Sequence, residues 1–266
     1  MANPPADVMS TSDAPAVQTH EAGSVLVITI NRPKVRNAVD GATARALAQA
    51  FDQLDARDDL AVGVLTGAGG TFSAGMDLKA FAAGDTPVIP GRGFAGLTRA
   101  RPRAPLIAAV EGWALGGGTE MALACDLIVA AQDATFGLFE VTHGLVPPEG
   151  GIVRLPERIP PNIALELLLT GDPLPAVRAE QLGLVNHLTP PGEALDRAVE
   201  LATRIAGNAP LAVAAIKRAL TERTAFDDTD AFAQQDQIVA PVLASQDAQE
   251  GARAFAEKRR PHWQGR

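Results

Sequence analysis

Apolar positions fall into two alternating kinds of run over the first two thirds of the chain. Ser24 to Ile30 (S-V-L-V-I-T-I) is β-branched and continuous, as in a buried strand, and it stops at Asn31-Arg32-Pro33, a turn signal that breaks the ladder. Ala42 to Leu54 then carries its apolar residues at helical spacing. Ala61 to Thr66 is a second strand, closed by Gly67-Ala68-Gly69-Gly70. Leu106 to Val110 is a third, running into Gly112 and Gly116-Gly117-Gly118. Thr119 to Cys125 is helical in composition, and Leu127 to Ala131 is a fourth strand. Strands interleaved with helices predict an α/β core. No sequence repeat accompanies the recurring strand, glycine turn and helix.

After Asn162 helical patterns take over. Ile163 to Leu169 and Ala176 to Leu182 read as helices, and Thr189-Pro190-Pro191-Gly192 breaks the chain as a linker does. Beyond it, Leu195, Val199, Ala202 and Ile205 share one helical face, and Leu211, Ala214, Ala215 and Ile216 share another. The pattern therefore predicts a loose tail over residues 1–20, an α/β core over 21–190 and an all-helical region over 191–266. Such a region must pack on its own core or on a neighbouring subunit.

Composition narrows the function. A length of 266 residues suffices for one sizeable core or one core with an appendage. With 31 Asp and Glu against 23 Lys and Arg, the net charge is -8, and the longest basic run is Lys258 to Arg260. That balance speaks against a nucleic-acid binder, which needs a basic face to meet many phosphates. Cys125 stands alone and His20, His143, His187 and His262 are scattered, so the sequence offers no disulfide and no zinc spacing. A cytoplasmic protein without metal is expected. No apolar stretch approaches the roughly 20 residues that span a bilayer, and the first residues lack a signal-peptide pattern. Only four of the 23 basic residues are lysines: Lys34, Lys79, Lys217 and Lys258. The arginine excess reads as codon bias; where the lysines fall is a separate matter.

Two glycine-rich segments carry candidate chemistry. Gly67-x-Gly69 suggests a dinucleotide fingerprint, but Phe72 stands where the third glycine belongs, and no G-K-[ST] marks a P-loop. Phe72 to Lys79 (F-S-A-G-M-D-L-K) lets the backbone turn at Gly75 and offers the Met76 amide to a cleft. Gly112 to Asp126 (G-W-A-L-G-G-G-T-E-M-A-L-A-C-D) opens a helix on glycines, leaving its first amides unpaired where the helix dipole favours negative charge. An amide from each segment would make an oxyanion hole. Glu120 lies in the first helical turn, and Glu140 follows beyond Phe136-Gly137, so a helix and a returning strand can bring both to one cleft. Two carboxyls facing an oxyanion hole form a general acid/base pair acting on a carbonyl that becomes anionic.

Taken together, these segments resemble the enoyl-CoA hydratase/isomerase (crotonase) family from about Ser24 to Arg266. The resemblance is carried by Asn31-Arg32-Pro33-Lys34 with Asn37-Ala38, by F-S-A-G-M-D-L-K, by G-W-A-L-G-G-G-T-E, by Phe136-Gly137 with Glu140, and by Glu250-Gly251 with F-A-E-K-R-R at Phe255 to Arg260. It implies an α/β fold, a spiral of repeated ββα units whose C-terminal helices mediate homotrimers or dimers of trimers. It implies an acyl-CoA thioester as substrate, with coenzyme A as part of that substrate and no separate cofactor. The backbone amides of Met76 and Gly117 would hold the thioester oxygen. Glu120 would bind and activate water and Glu140 would protonate Cα. Lys34, Ala74, Asp77, Leu78, Lys79, Phe255 and Lys258 would bind the CoA ester, the last two from a helix that reaches a neighbouring subunit.

Retention of both acids favours reversible hydration of a trans-2-enoyl-CoA over Δ3,Δ2-isomerisation, which in similar proteins needs one acid, and over a binding protein that has lost turnover. Leu155-Pro156 to Leu169 also resembles carnitinyl-CoA dehydratases, keeping polar acyl groups open. Phe139 replaces a usual proline, Trp113 a frequent tyrosine, and Val146 to Gly151 carries an additional acid, Glu149, expected to face water or else to contact a polar substrate. Lys217 falls in no motif.

Overall fold

The computed structural model describes residues 14–223 and 230–266. The chain opens with a hairpin, β1 (Val17–Ala22) and β2 (Val25–Ile30), followed by a 3-10 turn at Pro33–Val35 and helix α1 (Gly41–Ala56). Next come β3 (Val62–Gly67), α2 (Leu78–Ala82), β4 (Val88–Ile89) and β5 (Gly93–Phe94). Then β6 (Leu106–Val110), β7 (Trp113–Leu115), α3 (Gly117–Ala124), β8 (Leu127–Ala131) and β9 (Thr135–Gly137) complete two strand–strand passages. A 3-10 turn at Glu140–His143 leads to α4 (Gly151–Arg158), α5 (Pro161–Thr170), β10 (Leu174–Pro175), α6 (Ala176–Gln181) and β11 (His187–Thr189). Four helices close the described chain: α7 (Ala194–Ala206), α8 (Pro210–Glu222), α9 (Ala231–Leu243) and α10 (Gln246–Ala256).

The main sheet has the order β1-β2-β3-β6-β8-β11, parallel except for β1. A second sheet, β10-β9-β7, is extended by a bridge between Ser73 and Ala114. The chain therefore visits the main sheet, crosses to the second and returns, as in β6–β7–α3 and then β8–β9. This is the expected spiral of ββα turns. Burial of the main sheet on both faces explains its continuous apolar runs. One face carries Leu26, Ile28, Leu65, Ala108 and Ile128 into the core shared with α1. Its helix begins at Asp40, whose carboxylate accepts the Thr43 amide at 2.8 Å, and buries Ala44, Leu47, Phe51 and Leu54.

The opposite face, Val25, Val27, Val62, Val64, Ile107 and Val129, is covered by Ala194, Ala198 and Ala202 of α7. Glu111 fixes that helix by accepting the amides of Gly192 and Ala194 at 3.0 and 2.9 Å. The expected boundary at residue 190 would separate α7 from the sheet it covers, so the core runs through Ala206 and the appended helices begin with α8. The expected tail over residues 1–20 is likewise shortened. Val17 to His20 pair with Val27 to Ile30 in β1, whereas residues 1–13 lie outside the described ones. On α8, Ile216 is exposed, whereas Leu211, Ala214 and Ala215 are half-buried. Lys217 anchors this helix: its ammonium donates to the Ala104 carbonyl at 2.7 Å and pairs with Asp126 at 2.8 Å.

Candidate active site

Fully buried Asn37 organises the segment that carries the first candidate amide. Its side chain donates to the carbonyls of Ala68 and Thr71 and accepts the Arg32 amide at 2.9 Å. Val39 then bridges Met76, with the Val39 amide on the Gly75 carbonyl and the Asp77 amide on the Val39 carbonyl. Ser73 completes the turn, its hydroxyl donating to the Asn37 carbonyl and accepting the Gly75 amide. Gly75 itself has φ +84°, a conformation that other residues rarely adopt, and a Cβ there would lie 2.6 Å from the Leu115 carbonyl and 3.0 Å from the Gly117 nitrogen. The two glycine-rich segments are thus pressed backbone to backbone. Neither the Met76 nor the Gly117 N–H donates a hydrogen bond among the described residues. Gly117 is the first residue of α3, so its amide has no intrahelical partner.

Glu120 and Glu140 both lie at the Gly116–Gly117 end of this pair of amides. Glu120 projects from the first turn of α3, only 2% exposed, and its Oε1 accepts the amides of Glu149 and Gly151 at 2.7 and 3.0 Å. Burial pushes its pKa up to about 7; the two amides oppose the rise, and the negative charges of Glu140 and Glu149 add to it. Glu140 opens the 3-10 turn after β9, and its Oε1 stands 3.1 Å from where a Cβ on Gly116 would sit. Its Oε2 is buried without a hydrogen-bond partner among the described residues. Burial raises its pKa as well, with nearby His143 opposing. Two carboxyls held toward their protonated forms beside two unpaired amides are the groups that proton transfer at an activated carbonyl needs.

Other expected site residues are placed less uniformly. Arg32 pairs with Asp40 at 2.8 Å and with Asp77 at 3.1 Å, setting the turn of Lys34 beside the helix of Lys79. Both lysines are exposed. The Ala74 amide is occupied by the Arg36 carbonyl, and Asp77 is committed to Arg32 and to capping α2, so its carboxylate serves structure. Leu78 is exposed. Phe255 and Lys258, on and after α10, make no hydrogen bond or ion pair with the Lys34–Lys79 edge among the described residues, and Phe255 is 87% exposed. Helix α10 packs against α9.

Glu149 corrects its expectation. It is buried rather than water-facing, because its carboxylate accepts from the Phe94 amide at 3.0 Å, from the Thr98 hydroxyl at 2.7 Å and from the Arg99 guanidinium at 2.8 and 3.2 Å. Burial works against its charge, but these donors outweigh that cost and hold its pKa below the ordinary value. Phe94, Thr98 and Arg99 were not legible as site residues. They lie 50 to 55 positions from Glu149, and no periodicity links them.

Comparison with known proteins agrees with this geometry. The family model described as enoyl-CoA hydratase/isomerase matches residues 20–266. Enoyl-CoA hydratase EchA19 of Mycobacterium tuberculosis is 43% identical over 97% of this chain and 99% of its own. Carnitinyl-CoA dehydratase of Salmonella arizonae is 45% identical over 91% of this chain and 96% of its own. The crystal structure of an enoyl-CoA hydratase from M. tuberculosis H37Rv superposes with a TM-score of 0.94 at 58% identity, covering 95% of this chain and all of the other. That of a carnitinyl-CoA hydratase from Mycobacterium avium gives a TM-score of 0.76 at 42% identity, over 94% and 99%. The crotonase-like spiral, the order of its motifs and these relatives together show that the chain belongs to the enoyl-CoA hydratase/isomerase family.

Proposed function

We propose that this protein is an enoyl-CoA hydratase, adding water reversibly across the 2,3 double bond of a trans-2-enoyl-CoA. The observation that carries this reading is the convergence of two unpaired amides, at Met76 and Gly117, with two raised-pKa carboxyls, Glu120 and Glu140. The amides form an oxyanion hole for the thioester oxygen, where negative charge develops as Cβ is attacked. Glu120 positions and activates the water, whose hydroxide adds at Cβ. Glu140 delivers a proton to Cα as the enolate collapses, and the proton taken from water restores the acid pair. The negative charge of Glu140 adds to the rise that burial gives the Glu120 pKa.

Lys34 and Lys79 meet the phosphates of coenzyme A. Phe255 and Lys258 complete that site from a neighbouring subunit of a homotrimer or dimer of trimers. Support for assembly comes from the apolar residues the single chain leaves exposed on its last helices: Ile216, Leu220, Phe232, Leu243 and Phe255. Among the described residues no single helix is long and apolar enough to cross a membrane, and the lone Cys125 is buried and free. We place the enzyme in the cytoplasm.

A second reading, dehydration of a polar 3-hydroxyacyl-CoA, draws on the likeness to carnitinyl-CoA dehydratases and uses the same acid pair in reverse. Crotonyl-CoA and a polar acyl-CoA, assayed side by side by the appearance or loss of enoyl-thioester absorbance, test the proposal. Turnover of crotonyl-CoA supports the main reading, turnover of the polar ester alone the second, and ligand uptake without absorbance change would defeat both.

A further inference from the structure

We infer that Glu149 is a positioning residue for Glu120, the buried end of a latch that holds two walls of the active site in register. The inference rests on the catalytic reading of Glu120. Among the described residues the carboxyl of Glu120 has two donors, the amides of Glu149 and Gly151, so its placement is only as firm as the loop that carries them. That loop is tied down through the side chain of Glu149. Its carboxylate is held by Phe94, Thr98 and Arg99, which belong to the segment running from β5 toward β6. Arg154 of α4 adds a second tie across the same seam, its guanidinium donating to the Thr98 carbonyl at 2.6 Å and to the Glu149 carbonyl at 3.4 Å.

The other end of the latch also reaches the site. Glu149 holds the Phe94 amide, and the Phe94 ring lies against Gly117, only 2.7 Å from where a Cβ on that glycine would stand. The ring is thus seated against Gly117, and the segment after β5 is the fixed wall to which Glu149 ties the loop that carries the donors to Glu120. An ionised carboxylate in this position is expensive to bury, and its four donors account for its retention as a charge rather than a neutral acid. A loop residue that merely closed a turn would need no such group. Displacement of a reacting group by about 1 Å can cost about 100-fold in rate, which sets the scale of the expected effect.

The test measures crotonyl-CoA hydration by Glu149→Ala, Glu120→Gln and the double variant, with thermal unfolding as a check on folding. The expected result is a kcat about 10- to 100-fold lower for Glu149→Ala with KM little changed, and a double variant no slower than Glu120→Gln alone, because Glu149 acts through Glu120. Effects that multiply in the double variant, or a wild-type kcat for Glu149→Ala, would overturn the inference while leaving the catalytic reading intact. Full activity in Glu120→Gln would defeat the catalytic reading and the inference with it. Should Glu149→Ala not fold, Arg99→Met cuts the latch from its exposed end; a lowered kcat that vanishes in the Glu120→Gln background supports the inference, and an unchanged kcat overturns it.

Discussion

Gly75 and Gly117 meet backbone to backbone: a Cβ on Gly75 would stand 3.0 Å from the Gly117 nitrogen and 2.6 Å from the Leu115 carbonyl. The spacing of the Met76 and Gly117 amides is therefore set by the absence of a single methyl group. Gly75→Ala forces these two segments apart and also places alanine at φ +84°. Because an oxyanion hole works only when its donors are already in place, kcat for crotonyl-CoA hydration is expected to fall about 100- to 1,000-fold. Steady-state kinetics together with far-UV circular dichroism separate this loss from unfolding. A near-normal kcat in a folded Gly75→Ala protein would remove the Met76–Gly117 pair from the mechanism.

Glu140 has the other exposed consequence. Its buried Oε2 has no partner among the described residues, which suits a group whose partner arrives with substrate. Glu140→Gln keeps the shape and removes the transferable proton, so hydration is expected to slow by about 100- to 10,000-fold with little change in stability. A variant running at the full rate would exclude proton delivery by this residue.

The lysines separate by role. Lys79 is exposed beside the turn of Lys34, whereas Lys217 is half-buried and paired. Lys79→Glu is expected to raise KM for the CoA ester severalfold at low salt with kcat unchanged, the difference shrinking as salt screens the phosphates. Lys217→Met leaves the Ala104 carbonyl and Asp126 without their charged partner, and a loss of about 1.5 to 3 kcal/mol in urea unfolding is expected, with KM unaffected. A reversal of these two patterns would mean that the assignments are exchanged.

How much of this was legible beforehand depended on how local the signal was. β2, β3, β6 and β8 announce themselves because a strand buried on both faces must be apolar throughout. β1 did not, because V-Q-T-H-E-A is an edge strand whose middle four residues are exposed, so no apolar face marks it. β4, β5 and β10 are two residues long, too short for any period to register. Helix α4 was hidden by Pro156 and by Ile152 and Val153, which face outward. At the site, Met76, Gly117, Glu120 and Glu140 sit within recognisable motifs. Glu149 and Lys217 find their partners 50 or more residues away, and such pairings leave no mark on the neighbouring sequence.

Glu120 links catalysis to stability in a way that pH can expose. Its pKa rises from an ordinary 4.5 to about 7 in the folded protein, chiefly through burial. Between those values the folded state binds a proton that the unfolded state has released, so stability declines as pH rises through this window. Below about 4.5 both states are protonated and the full contribution is present; above about 7 both are ionised and it is gone. The interval corresponds to about 3 kcal/mol for this one group. Glu120→Gln cannot ionise, while its amide oxygen can still accept from Glu149 and Gly151. The variant is therefore expected to be more stable than the parent at pH 8 by up to about 3 kcal/mol, and to lose most of that advantage at pH 5. Urea unfolding at the two pH values reads this directly. An advantage that is the same at both would show that the carboxyl is not held toward its neutral form, and with it would fall the view that burial of Glu120 costs the protein stability so that the carboxyl can exchange a proton near neutral pH.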